Sequence, residues 1–142
     1  SSSSTDEIGA LEEKIERKSL NKINTEPEFM NRVKEGLIAV TNSPGGYGVG
    51  YMDSWMRPAG KTGTSQSFID TDGNGVIDTE TITSTFIGYA PYDNPKMSIV
   101  VLSPHVSYKN DNNTYTSNVN KKITSRICNI FFEIYKFCLH YF

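Results

Sequence analysis

The sequence predicts an α+β fold in which antiparallel strands pack against helices. Three observations carry this. Two stretches with helical apolar spacing come first, three adjacent extended stretches follow, and one long helical stretch closes the chain. The last two extended stretches are joined by Tyr92-Asp93-Asn94-Pro95, a turn of hairpin type, which makes them antiparallel. The closing stretch shows Ile123, Ile127, Ile130, Ile134 and Phe137 as one apolar stripe.

The elements follow in order. Residues 5–18 read as a short charged helix, with Ser4 and Glu7 at capping-box spacing and Ile8, Leu11 and Ile15 on one face. Residues 1–24 form an N-terminal unit of helix and linker whose opening serines read as a truncation edge. Residues 25–142 form the main unit. A second helix starts near Thr25, with Thr25 and Glu28 again at capping-box spacing and Pro27 in the first turn. Phe29, Met30, Val33, Leu37, Ile38 and Val40 give it an apolar face, and Asn42-Ser43-Pro44 stops it. A glycine-rich loop spans residues 45–50. Strands are expected over 61–68, 81–90 and 97–103. In the third, Ile99-Val100-Val101-Leu102 does not alternate, which predicts a strand covered on both faces. Residues 107–117 read as a polar loop, and the last helix spans about 118–139.

Composition narrows the function. The chain has 142 residues, a formal net charge of −2, 37% hydrophobic and 21% charged residues. That suits one globular domain or part of one, and it argues against nucleic acid as a partner, which demands clustered Lys and Arg. Cys128 and Cys138 lie on one helix, ten residues or about 15 Å of rise apart, too far to bridge each other. No stretch is long and apolar enough to span a membrane: residues 130–142 are short and carry Glu133, Lys136 and His140.

Two motifs carry chemistry. In Lys61-Thr62-Gly63-Thr64-Ser65, a strand points Lys61, Gly63 and Ser65 one way and Thr62 and Thr64 the other. Lys61 then places a cation on the sheet, the Thr hydroxyls suit a carboxylate, and Gly63 permits close approach. On these residues alone, a solvated strand with an exposed lysine is the simpler reading. The second motif is an acidic hairpin insert at 70–80. Asp70, Asp72, Asn74 and Asp78 occupy positions 1, 3, 5 and 9 of a calcium loop, Val76 offers its carbonyl at 7, and Gly75 sits at the tight turn. Thr81 replaces the bidentate Glu at position 12. The alternatives are a structural Ca²⁺ site or a metal-free acidic hairpin tip. His105 and His140 have no ligand-like neighbours in sequence, and Tyr47 and Trp55 suit a groove rim or core packing equally.

Taken together, Gly60-Lys61-Thr62-Gly63-Thr64-Ser65, then Thr85-Phe86-Ile87-Gly88-Tyr89-Ala90-Pro91, then the apolar strand from Met97 resemble the C-terminal part of the class B penicillin-binding transpeptidases. The helix with Val33-Lys34-Glu35-Gly36-Leu37 and Val40 and the closing helix extend the resemblance over roughly residues 20–137. It implies the C-terminal portion of a β-lactamase/transpeptidase-like fold and acyl transfer through a covalent serine intermediate. It further implies peptidoglycan stem peptides and β-lactams as ligands, no required cofactor, and a place on the extracytoplasmic face of the bacterial membrane, with any anchor outside this chain. By resemblance, Lys61 orients a neighbouring serine and supplies positive potential. Thr62 and Thr64 hold the substrate carboxylate, the Thr64 N–H is one oxyanion donor, and Gly63 keeps the wall clear.

The chain departs from the family pattern at the nucleophile. Ser19 and Lys22 have Ser-x-x-Lys spelling, and Ser19-Leu20-Asn21 spells Ser-x-Asn, but both precede the second helix, too close to Lys61 in sequence. The expectation is a chain with the Lys-Thr-Gly wall and no nucleophile. It would be inactive alone, dependent on the remaining half of the domain, and prone to self-association. The alternatives are a calcium-binding structural module and a fragment of a serine β-lactamase. Element order and the Phe-Ile-Gly-Tyr-Ala-Pro strand favour the transpeptidase.

Overall fold

The computed structural model describes residue 16, residues 18–108 and residues 118–141. The helix expected over 5–18 and most of the loop expected over 107–117 lie outside these. Residues 18–26 run as exposed irregular chain. Helix α1, Pro27–Asn42, follows with proline at its start. The Thr25–Glu28 capping box does not form. Glu26 is the N-cap and makes no side-chain cap bond, while its carbonyl takes the amides of Phe29 and Met30 at 3.1 and 3.4 Å.

Three strands, β1 (Ala59–Ile69), β2 (Thr79–Ala90) and β3 (Met97–Tyr108), form an antiparallel sheet in the order β1-β2-β3. Each is longer than its sequence pattern. β3 runs beyond Ser103 because Pro104-His105-Val106 bulges out opposite the single residue Thr83, and pairing resumes at Ser107. His105 takes the left-handed conformation there, φ 51°. Helix α2, Val119–Tyr141, closes the chain.

The register fixes the two faces. Lys61 pairs with Ile87 and Ile87 with Val100; Gly63 pairs with Thr85 and Thr85 with Leu102. Directly paired residues share a face, so these line one side of the sheet. Phe86, Ile99, Val101 and Ala90 line the other and make the core with Met52, Met56, Cys128 and Phe132. Phe86 is fully buried and stacks on Tyr51 at 4.4 Å. Truncating it to alanine would cost about 3–5 kcal/mol.

Two sequence expectations are corrected here. β3 is covered on one face only: Val100 and Leu102 are 73% and 62% exposed, while Ile99 and Val101 are buried. Nor does the Ile stripe of α2 face the sheet, since Ile130 and Ile134 are 58% and 59% exposed. α2 docks instead through Asn120, Thr124, Cys128 and Phe132. The Asn120 amide donates to Ser84 Oγ at 3.2 Å and its oxygen accepts from Ser103 Oγ at 2.5 Å, so a buried polar pin sets the helix against β2 and β3. The C-terminal end of α1 docks likewise. Thr41 Oγ1 and Asn42 Nδ2 both donate to the Pro58 carbonyl at 2.8 Å, just ahead of β1. The apolar face expected along α1 is only half-buried, with Phe29 and Val33 exposed.

Candidate functional site

The Lys-Thr-Gly stretch lies near the start of β1, and β1 is an edge strand among the described residues. Its entry is held at several points. Arg57, in the left-handed conformation, pairs with Asp93 at 2.7 Å, lies 4.9 Å from the Tyr92 ring centroid, and takes the Tyr92 amide on its carbonyl at 2.7 Å. These contacts, with the hydrogen bond that the guanidinium donates to the Tyr92 oxygen foremost, raise the Arg57 pKa further. The strap before β1 is thereby tied to the turn after β2.

Lys61 is exposed, and its Nζ donates to the Thr62 carbonyl at 2.6 Å. Lys61 and Gly63 lie on the open face with Ile87 and Thr85; Thr62 and Thr64 lie on the face of Phe86 and Ser84. At an edge strand, residues of both faces are within reach of one ligand, so the alternation does not divide the four. Gly63 has a reason that the sequence does not show: a Cβ on it would overlap the Thr85 hydroxyl. The space over the glycine is filled by its cross-strand neighbour.

Further along the same face, Ser67, Thr81, Thr83 and His105 form a hydroxyl–imidazole cluster. Thr81 is fully buried; its hydroxyl donates to the Ser67 carbonyl at 3.1 Å and lies 2.7 Å from His105 Nδ1. With that proton directed to a carbonyl, the Thr81 oxygen is free to accept a hydrogen bond from His105 Nδ1.

At the far end of the hairpin, the acidic tip is closed by its own side chains. Asp70 accepts the Gly73 amide at 2.7 Å and the Gly75 amide at 2.8 Å, one on each carboxylate oxygen. These bonds, that from Gly75 foremost, hold its pKa below the usual aspartate value. Asp72 accepts from Asn74, and Asn74 accepts from the Val76 amide at 2.7 Å. Asp78 accepts from Thr79 Oγ1 at 3.2 Å. Among the described residues, no three acidic, cysteine or histidine side chains converge as they would to hold a metal ion.

Comparison with known proteins bears on the edge strand and its neighbours. The family model of the penicillin-binding protein transpeptidase domain matches residues 3–129. This chain belongs to that family. Among curated relatives, it is 31% identical to penicillin-binding protein 2A of Bacillus subtilis strain 168 over 128 residues, 89% of this chain. It is 30% identical to penicillin-binding protein H of the same organism over 131 residues, 92% of this chain. It is 28% identical to penicillin-binding protein 2B of Streptococcus pneumoniae strain R6 over 127 residues, 87% of this chain. The aligned region is 17% of each relative's length.

The two helices and three-stranded antiparallel sheet are the arrangement expected of the C-terminal part of a transpeptidase domain. Ser19 and Lys22 lie in the exposed irregular stretch before α1, so among the described residues no Ser-x-x-Lys starts a helix. Thr85, Asn120 and His105 are the residues that sequence reasoning missed or left as surface. Thr85 stands in the Thr-Phe-Ile-Gly-Tyr-Ala-Pro motif, which was a signal of its own. Of the residues suggested as groove lining, Trp55 packs edge-on against Phe132 at 5.8 Å, with Lys136 Nζ 3.6 Å from its ring centroid, while Tyr47 is exposed.

Proposed function

We propose that this chain supplies the Lys-Thr-Gly wall of a peptidoglycan D,D-transpeptidase, and that the serine nucleophile comes from sequence outside these 142 residues. The observation that carries the reading is an edge strand with Lys61 and Gly63 on a sheet face left open and apolar by Ile87, Val100 and Leu102. That face is where the remaining half of the domain would pack. A stem-peptide carboxylate, or that of a β-lactam, would take hydrogen bonds from the Thr62 and Thr64 hydroxyls. Lys61 would add positive potential where the acyl oxygen gains charge, and the Thr64 amide would be one of two oxyanion donors. The serine oxygen would attack the stem-peptide carbonyl and expel the terminal amino acid, whose amine takes up the serine proton; an acceptor amine would then take the acyl group and return the serine hydroxyl. The site of action would be the outer face of the membrane. No described helix is long and apolar enough to cross a membrane, so an anchor would lie elsewhere.

Labelling with a fluorescent penicillin tests this. The 142-residue chain should give no covalent band on denaturing gels. A longer protein joining it to a Ser-x-x-Lys half should give one, and Lys61→Ala should slow its formation by about 10²-fold, the scale of losing an electrostatic contact to the transition state. A stoichiometric band from the chain alone, lost on replacing one of its own serines, would overturn the reading.

A further inference from the structure

Between the start of α2 and Gly50, at the end of the glycine loop, lies an open surface pocket of about 410 Å³ lined by Gly50, Asn118, Lys121, Lys122, Ser125 and Arg126. That volume is within the range of small-ligand sites, about 300–1,000 Å³. Three of the six lining residues are cations, although the chain as a whole carries −2. Among the described residues the ion pairs are Arg32–Glu35 and Arg57–Asp93, and neither engages these cations. Lys121 and Lys122 lie in the first turn of α2, where the helix's own field disfavours positive charge and no acidic residue offsets it, and Arg126 follows one turn later. Gly50 gives Lys121 its seat. At φ +79° a Cβ there would come within 2.7 Å of Lys121 Cε and 2.8 Å of Nζ, so the ammonium rests where a side chain would otherwise stand.

We propose that this pocket binds a phosphate-type oxyanion. Lys121, Lys122 and Arg126 would neutralise it with charge-assisted hydrogen bonds, and the Ser125 hydroxyl and Asn118 amide would supply neutral donors. The phosphate can be a free anion or the headgroup of a lipid, and two arms of one experiment separate these sources. In the first, the 142-residue chain is titrated calorimetrically with inorganic phosphate and pyrophosphate at low ionic strength. In the second, it is floated with vesicles of phosphatidylcholine with and without phosphatidylglycerol.

Saturable binding in the first arm identifies a free phosphate, and recovery only with the anionic vesicles identifies a headgroup. In either case Lys121→Gln and Arg126→Gln should each weaken binding about tenfold, the scale of one charge-assisted hydrogen bond. Lys34→Gln, on α1, should leave it unchanged. Far-UV circular dichroism of the variants should match that of the parent chain. Binding in neither arm, or equal weakening by Lys34→Gln and Lys121→Gln, would overturn the proposal.

Discussion

Replacing Gly63 by alanine probes the interlock beneath the Lys-Thr-Gly wall. The new methyl would fall on the Thr85 hydroxyl, and in a close-packed sheet such overpacking costs about 1–3 kcal/mol. Stiffening the unfolded chain returns about 0.4–1 kcal/mol, because Gly63 does not have the positive φ that would exclude alanine. The net loss should be about 1–2 kcal/mol, or a few degrees of Tm for a chain of this size. Thr85→Ala removes the overlapping atom, and the nearest remaining contact of that methyl is the residue-85 Cβ at 3.7 Å, an ordinary van der Waals distance. In the Thr85→Ala background, Gly63→Ala should therefore cost nearly nothing, giving a coupling of about 1–2 kcal/mol. Thr85→Val keeps the bulk and should not rescue. Urea unfolding followed by circular dichroism supplies the four corners of the cycle. Equal cost of Gly63→Ala with threonine and with alanine at position 85 would refute the interlock.

Three further outcomes are expected. The Asp70 carboxylate, with its folded pKa lowered, stabilises the tip above the ordinary aspartate pKa of about 3.9, and this support is lost as pH falls through the lower folded value. Exchange of the Gly73 and Gly75 amides should quicken there, and Ca²⁺, proposed to bind the tip weakly at about 10⁻⁴–10⁻³ M, should slow it at neutral pH; no calorimetric heat over that range would remove the metal. Burial pushes the Cys128 thiol up to about 11, so it should resist iodoacetamide near pH 8 until the chain unfolds, and its burial should destabilise the fold as pH rises from the unfolded thiol value of about 8.5 toward 11. Thiol labelling of a Cys138→Ser variant isolates that residue, and rapid native labelling would contradict the burial. The open face of Ile87, Val100 and Leu102 is proposed to drive self-association, so Val100→Lys with Leu102→Lys should convert dimers or larger species to monomer in light scattering, whereas a monomeric parent chain would count against it.

Much of this fold was legible because its strands carry Thr-rich or aliphatic runs and its α1 start carries Pro27. What was not legible has physical causes. Pro104 reads as a strand end because proline donates no ladder bond, yet the bulge lets β3 continue past it. The Ile stripe dominates the helical period of α2, but the helix is seated by Asn120, a polar pin that no hydrophobic pattern reports. Within the site, Lys61-Thr62-Gly63 and the Thr85-Phe86-Ile87-Gly88 strand were both visible as motifs. Their pairing was not, because the register that sets Thr85 opposite Gly63 depends on the hairpin closing around an insert of unknown shape.

The pairing of β2 with β3 from Ala90 to Thr81, with the tie between Arg57, Tyr92 and Asp93 at the root, leaves only the end of the hairpin beyond Ser67 as a cantilever. Its support runs from residues 57–59, where Thr41 and Asn42 hold Pro58, along the pairing with β3, and Lys61 stands inside that supported length. Ile69, where β1 ends, lies eight residues beyond Lys61, about 26 Å along the strand. Deflection grows with distance from the support, so whatever jostles the acidic tip arrives at Lys61 almost fully attenuated. Lengthening the tip would then leave the lysine in place, whereas cutting the Arg57–Asp93 pair would loosen it at the root.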